Sequence, residues 1–175
     1  MSQIDKIAGE LRGLMAGAER SRGLAAAVDN KAQEVMIRAG SSGFTAVAAG
    51  MVRVRAAVST IQGGLGGVAE AVSEAAAATA AVPQKGSPQE TISGLLPVKS
   101  SIVRARDAAT GAIAQIGEAK QLVAMVLQGG QPGPMLQALD GVREVVVLMV
   151  QRTGTAGELV DAAIAEAGQL GSSGN

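Results

Sequence analysis

Small or apolar residues recur along this chain at alternating steps of three and four positions, in four long segments. In the first segment they occupy ten successive positions of this pattern: Ile4, Ile7, Leu11, Leu14, Ala18, Ser21, Ala25, Val28, Ala32 and Val35. The second segment has twelve such positions, of which one is a polar threonine: Phe44, Val47, Met51, Val54, Val58, Ile61, Leu65, Val68, Val72, Ala75, Thr79 and Val82. Because these steps average 3.5 residues, close to one turn of an α-helix, each segment is predicted to be a helix with one apolar seam.

The other two segments show the same period. The fourth reads Met135, Leu139, Val142, Val146, Met149, Thr153, Ala156, Val160, Ala163, Ala167 and Leu170. The third is less regular, with one series at sevens and a second series between its members: Ile102, Ala109, Ile116 and Val123, then Ala105, Ala112 and Val126. Segments of this length form rods of roughly 55 Å at 1.5 Å per residue. We therefore predict an all-α fold.

Glycine-rich and proline-rich breaks separate the segments, namely "AGSSG", "PQKGS" and "GGQPG". Such short turns make consecutive helices antiparallel neighbours. At the start of the third helix, Ser87 is placed to cap the helix, Pro88 suits its first position, and Glu90 completes a capping box. Pro97 lies nine residues further along, so we expect a kink there or a short helix before the main one.

The breaks divide the chain into two helical hairpins. We assign the first hairpin to residues 1–82, a turn to 83–87, the second hairpin to 88–170 and a disordered tail to 171–175. The expected architecture is two long antiparallel hairpins that form an elongated four-helix bundle or a coiled-coil rod.

Composition removes most chemistry from consideration. The chain has no Cys, His, Trp or Tyr, and Phe44 is its one aromatic residue. Without Cys or His there is no thiol nucleophile, no imidazole base and no usual transition-metal ligand set. Asp29, Glu34, Asp140 and Glu144 remain as acid–base candidates, but none pairs with another on one helix face at catalytic or metal-binding spacing. We therefore predict a non-enzymatic protein with no cofactor and no metal site.

Charge gives no sign of a nucleic acid partner. Lys and Arg together number 15, as do Asp and Glu, so the formal net charge is zero. The pairs Arg53/Arg55 and Arg104/Arg106 could suggest an anion site. Residues two apart on a helix point to different faces, however, and acidic residues lie beside neighbouring arginines, so we interpret them as a solvated face.

Two groups of glycines suggest a partner interface as a hypothesis. Gly9, Gly13 and Gly17 recur every four residues, which would leave one stripe of the first helix bare for close approach by another helix. The alternative is that glycine is simply common here, with 24 in the chain. Gly64 and Gly67, within "GGLGG", would suit a hinge, a partner's footprint, or close packing between the second and fourth helices.

The sequence predicts neither a secretion signal nor a membrane span. Asp5 and Glu10 interrupt the apolar positions at the start, where a signal peptide would have an unbroken apolar run. The longest uncharged stretch near the end, residues 121–139, is broken by "GGQPGP", and "VVVLMV" is too short to span a bilayer. We expect no transmembrane segment.

Over most of its length the pattern resembles the WXG superfamily of ESAT-like helical hairpins handled by type VII secretion systems. "SSGF" lies near residue 40, where that family has its Trp-x-Gly turn, and "GQPG" repeats the placement in the second hairpin. The chain lacks the Trp of that turn and the Tyr of the family's Tyr-x-x-x-Asp/Glu export signal. The composition also looks like that of uncharacterised helical proteins encoded beside actinobacterial toxins.

This resemblance implies a helical adaptor or chaperone-like protein. Its partner would be another helical protein, such as the leader region of a secreted toxin, or a second copy. The protein would be cytoplasmic, or exported with its partner by a non-Sec route. An alternative from another class is a phasin-like amphipathic protein that coats a lipid or polyester surface with its apolar seams.

Overall fold

The chain forms four long helices. The computed structural model describes residues 2–172, and that part of the chain contains no β-strand. The helices are α1 (Gln3–Ser41), α2 (Thr45–Ala81), α3 (Pro88–Val126) and α4 (Gly133–Ser172). The all-α prediction is confirmed. The predicted disordered tail began too early, because residues 171 and 172 belong to α4, and 173–175 lie outside the described residues.

The helices pack as a square, up-and-down four-helix bundle. Helix α1 contacts α2 and α4, and α3 contacts the same two helices, whereas the diagonal pairs α1/α3 and α2/α4 do not meet within the described residues. Each helix therefore buries its seam against two neighbours. The two predicted hairpins pack on each other within one chain and share one continuous apolar core.

The seams predicted from the sequence form most of this core. Val54, Val58 and Leu65 in α2 are completely buried, as are Val142 and Val146 in α4. Four hydroxyl side chains also lie at buried positions: Ser21, Thr79, Ser101 and Thr153. Three of them donate to a backbone carbonyl of their own helix, and Ser101 accepts a hydrogen bond from Arg104. Because each is partnered, these polar groups are compatible with a buried seam.

Two helices begin with a complete capping box. Ser87 accepts a hydrogen bond from the Glu90 backbone N–H, while the Glu90 carboxylate accepts one from the Ser87 N–H at 2.7 Å. This confirms the capping box predicted at α3. Ser2 and Asp5 make the same arrangement at α1, which "SQID" also encodes, although the sequence interpretation overlooked it.

Pro97 does not interrupt α3. The helix is continuous from Pro88 to Val126 with Pro97 inside it, so the expected short separate helix is absent. Pro97 lies on the exposed side, where water can hydrogen-bond to the carbonyl group that lacks its helical donor. The flanking residues Leu95 and Val98 are fully buried, and their packing holds the helix together on both sides of the proline.

Glycine closes the helices at one end of the bundle. Gly43, between α1 and α2, has φ of 81°, and Gly129, between α3 and α4, has φ of 86°. This left-handed conformation carries no steric penalty at glycine, because there is no Cβ. The glycine-rich breaks are therefore helix terminators, as their sequence predicts.

We predict that Val54→Asp lowers the free energy of unfolding by more than about 3 kcal/mol, because it places an unpaired charge at a fully buried position. Arg53→Asp is the matched control. It puts the same side chain one residue away on an exposed site and should change stability by no more than about 0.5 kcal/mol. Urea denaturation measures both. Equal losses for the two variants would show that the buried face of α2 has been misassigned.

The capping box predicts a low carboxyl pKa at Glu90. Hydrogen bonds from the Ser87 backbone N–H and hydroxyl stabilise the charged form and hold the pKa of Glu90 below its ordinary value of 4.5. Because the folded pKa is depressed, this contribution to stability is present above pH 4.5 and is lost as pH falls through the folded pKa. NMR titration should show the Glu90 pKa rising towards its ordinary value in Ser87→Ala. An unchanged pKa in that variant would contradict the assignment.

Candidate functional site

Among residues 2–172, five ion pairs join neighbouring helices around the bundle. Asp29 of α1 accepts two hydrogen bonds from Arg55 of α2 at 3.0 and 3.1 Å, and these hold the pKa of Arg55 above its usual value. Glu74 of α2 pairs with Arg104 of α3, and Glu10 of α1 pairs with Arg152 of α4. Helices α3 and α4 are joined twice, by Lys99 with Asp161 and by Lys120 with Asp140. The solvated-face interpretation is therefore incomplete, because Arg55 and Arg104 bind carboxylates of neighbouring helices.

These pairs also occupy two of the four carboxylates considered for catalysis, Asp29 and Asp140. Glu34 and Glu144 are exposed. Within residues 2–172, no group of three or more acidic side chains is placed to hold a metal ion.

The glycine stripe of α1 is largely covered from within the chain. A Cβ on Gly13 would overlap the guanidinium of Arg152, and one on Gly17 would lie 2.9 Å from Cγ of Met149. Both side chains come from α4. Gly9 is half-buried, with only the Arg12 side chain nearby, at 3.9 Å. The stripe is thus not the bare surface that the spacing predicted, since its glycines chiefly allow α4 to approach α1.

Gly64 and Gly67 also differ from each other. Gly64 faces α3, where a Cβ would lie 3.0 Å from the Gln115 side-chain oxygen, whereas Gly67 is exposed with open space around it. Close packing of α2 against α4 was the wrong explanation, because these two helices are diagonal and do not touch in the described residues.

Within each hairpin, the two helices are flush. Asp29 pairs with Arg55, which places the end of α1 level with the start of α2. In the second hairpin, Lys99 pairs with Asp161 and Lys120 with Asp140, and Gly171 lies beside Pro88. Helices α3 and α4 therefore match along their whole length.

The two hairpins are shifted along the bundle relative to each other. We call the end with the α1–α2 and α3–α4 connections the turn end. There Gly17 faces Met149, so Gly133, 16 residues before Met149 (149 − 133), lies level with residue 33. Helix α1 continues eight residues beyond that level to Ser41 (41 − 33), about 12 Å. Helix α2 extends similarly, since Val126, the last residue of α3, faces Gly50.

The opposite end, the terminal end, has the reverse arrangement. Gly13 faces Arg152, so Gln3, ten residues earlier (13 − 3), lies level with residue 162. Helix α4 continues ten residues further to Ser172 (172 − 162), about 15 Å. Helix α3 begins six residues before Gly94 (94 − 88), which faces Val82 just past the end of α2. The first hairpin thus overhangs at the turn end and the second at the terminal end.

Seam residues on these overhangs are left uncovered. Phe44, at the turn end, is 63% exposed, and Leu170, at the terminal end, is 65% exposed. Both belong to the heptad seams that were predicted to be buried, so that prediction is wrong at these two positions. The reason is the stagger, because the helices that would cover them end up to about three turns short. Val35 and Val47 near the turn end are half-buried.

The turn-end overhang is almost without charge. Residues 39–52 contain no charged side chain, and Arg38 directly precedes them. Ile37, near the end of α1, is also 57% exposed. The Phe44 backbone is held by a 2.8 Å hydrogen bond from its N–H to the Ala39 carbonyl, so the aromatic ring is carried on an ordered turn. This combination makes the turn end an apolar surface.

At the terminal end the overhang borders a cleft of about 760 Å³. Its apolar lining includes Ile4, Pro83, Ala167 and Leu170, and Glu166 also lines it. Asp5 lies here too, but its carboxylate is used in the capping box of α1, whose hydrogen bonds hold its pKa below the ordinary value. The cleft follows from the stagger, since α1 begins below the last turns of α4.

A family model described as a family of unknown function (DUF6244) matches residues 86–172. The matched part is the second hairpin, α3 and α4, and covers slightly less than half of the chain. No curated protein matches this chain. Within residues 2–172, none of the helices is long and apolar enough to cross a membrane.

We predict opposite effects for two glycine-to-alanine changes in α2. Gly67 lies in open space, so Gly67→Ala should raise stability by about 0.5–1 kcal/mol through helix propensity alone. At Gly50, a Cβ would lie 2.6 Å from Cγ1 of Val126, a β-branched side chain with little rotamer freedom, so Gly50→Ala should lower stability. Thermal unfolding of both variants checks this. A stabilised Gly50→Ala would refute the close α2–α3 packing that sets the register here.

Proposed function

We propose that this protein is a non-enzymatic helical adaptor that binds helices of a partner at the overhanging ends of its bundle. The observation that carries this proposal is the exposure of two seam residues, Phe44 and Leu170, on hairpins that extend past their own neighbours. Most of the other seam residues are covered within the chain, whereas Val35 and Val47 are half-buried. An uncovered heptad position continues the packing surface of its helix and therefore fits another helix best.

The contact surfaces are suited to binding rather than to chemistry. Phe44 is the single aromatic side chain of the protein, and aromatic residues contribute strongly at protein interfaces because of their large apolar area. The surrounding uncharged stretch, residues 39–52, can be buried without desolvating a charge. The carboxylates considered for catalysis are exposed or engaged in ion pairs, which supports a binding role.

The resemblance to ESAT-like hairpins supports a helical partner of the type VII secretion class. The family whose model matches the second hairpin is of unknown function, so the identity of the partner rests on this resemblance and on the chemistry of the surface.

A surface-coat function is the second candidate. It is favoured by the meeting of two uncharged stretches, residues 39–52 and 121–139, at the turn end. In this alternative, the turn end would insert between lipids.

We predict that Phe44→Ser separates binding from stability. Phe44 is the N-cap residue of α2 and makes no side-chain capping bond, whereas serine is favoured at N-caps, so stability should be kept or raised. Loss of the ring should weaken partner binding about tenfold or more, in line with the roughly 1.5–3 kcal/mol gained by burying a phenylalanine.

The measurement is a pull-down from the native host with identification of retained proteins. Leu148→Ser, which alters a residue of α4 that is equally exposed, is the control. A helical protein should be retained by wild type and the control and lost with Phe44→Ser. Retention by all three variants would contradict the proposal, and flotation with lipid vesicles that depends on Phe44 would favour the surface coat.

A further inference from the structure

We propose that the partner at both ends is a second copy of this chain, bound head to tail. The turn-end overhang of one copy would pack on the terminal-end overhang of the next. This inference rests on the proposed function, since it assigns the occupant of the same surfaces. It follows from the stagger between the two hairpins.

The two overhangs complement each other in what they lack. At the turn end, α1 and α2 continue without α3 and α4 beside them, and at the terminal end α3 and α4 continue without α1 and α2. The lengths are similar, with eight residues of α1 at one end and ten of α4 at the other (41 − 33 and 172 − 162). Bringing the two ends together restores four helices around one axis across the junction.

The apolar residues are distributed as such a junction requires. Phe44 and Ile37 are exposed on the turn-end overhang, and Leu170 is exposed on the terminal-end overhang. Leu170 occupies a heptad seam position of α4, and Phe44, the N-cap residue of α2, lies one seam step before Val47; seam positions pack inward elsewhere in the bundle. The core of one copy would thus continue into the core of the next.

One pair of opposite charges is placed to meet across the junction, Arg38 and Glu166, although Lys6 also lines the cleft at the terminal end. Arg38 is the last charged residue of α1, and α2 carries none before Arg53. On α4, Glu166 is the last charged residue, and it lines the cleft under the overhang. Both side chains are exposed. Arg38 directly follows the exposed Ile37, and Glu166 lies four residues before the exposed Leu170. A head-to-tail contact pairs opposite charges, whereas joining two like ends would place like charges together.

The symmetry of the assembly follows from the difference between the ends. Because the two contact surfaces are not the same, the contact is heterologous, and it generates a ring or an open filament rather than a closed two-fold dimer. A closed two-fold dimer would not grow further, so the size of the assembly distinguishes the two arrangements.

Sedimentation velocity of the full chain, up to about 1 mM, measures this association. Wild type should form species larger than a dimer as concentration rises. Phe44→Asp blocks the turn end and Leu170→Asp the terminal end, so each variant alone should stay monomeric. An equimolar mixture should form dimers and nothing larger, because each variant keeps the end that the other has lost. Leu148→Asp, on the middle of α4, should assemble as wild type does.

Both blocked residues are exposed, and circular dichroism melts should show that the variants stay folded. A charge exchange gives a second measurement: Arg38→Glu should weaken assembly, and mixing it with Glu166→Arg should restore pairing at that junction.

Other results would overturn the inference. Wild type that stays monomeric up to about 1 mM excludes a second copy as the occupant, as does a mixture of the two blocked variants that remains monomeric. Dimers of Leu170→Asp alone would show a contact between two turn ends instead. If wild type is monomeric but retains another helical protein through Phe44, only this inference fails. If Phe44 mediates binding to lipid vesicles alone, the adaptor function fails with it.

Discussion

The structure depends on burying four apolar seams in one shared core. A single helix of this length has no place to bury its seam, and a hairpin can cover each seam from one side only. The square arrangement gives each helix two neighbours, which is why both hairpins pack against each other within one chain. Burial of this apolar area is the main favourable contribution to the free energy of folding, although many core positions are small alanines.

The small side chains of the core set how the helices approach. With one aromatic residue in the chain, and that residue exposed, the interior consists mainly of aliphatic side chains, methionine and alanine. Gly17 and Gly50 accept Met149 and Val126 from neighbouring helices, and these contacts determine the register between the hairpins. The ion pairs within each hairpin fix a different register, in which the helices are flush. The stagger results from these two sets of contacts together.

The stagger connects the fold to the proposed function. A bundle with all four helices level would leave less of the seam uncovered at its ends. Here the last turns of each hairpin, up to about three, lack their neighbours, and the apolar seam reaches solvent at both ends. Exposed apolar surface of this kind, carried on ordered helices and nearly free of charge at the turn end, is a typical binding surface.

The helices, their turns and most of the core can be predicted from the sequence alone. The heptad steps identified buried residues such as Val54 and Val146, and local chemistry identified the Ser87–Glu90 cap, because these features depend on residues close together in the chain. Helix packing, by contrast, covers Gly13 and Gly17 with α4, brings Arg55 to Asp29 and leaves Phe44 and Leu170 exposed. Each of these depends on how far one helix is shifted along another. A periodic seam fits equally well after a shift of seven residues, so periodicity alone leaves that shift undetermined.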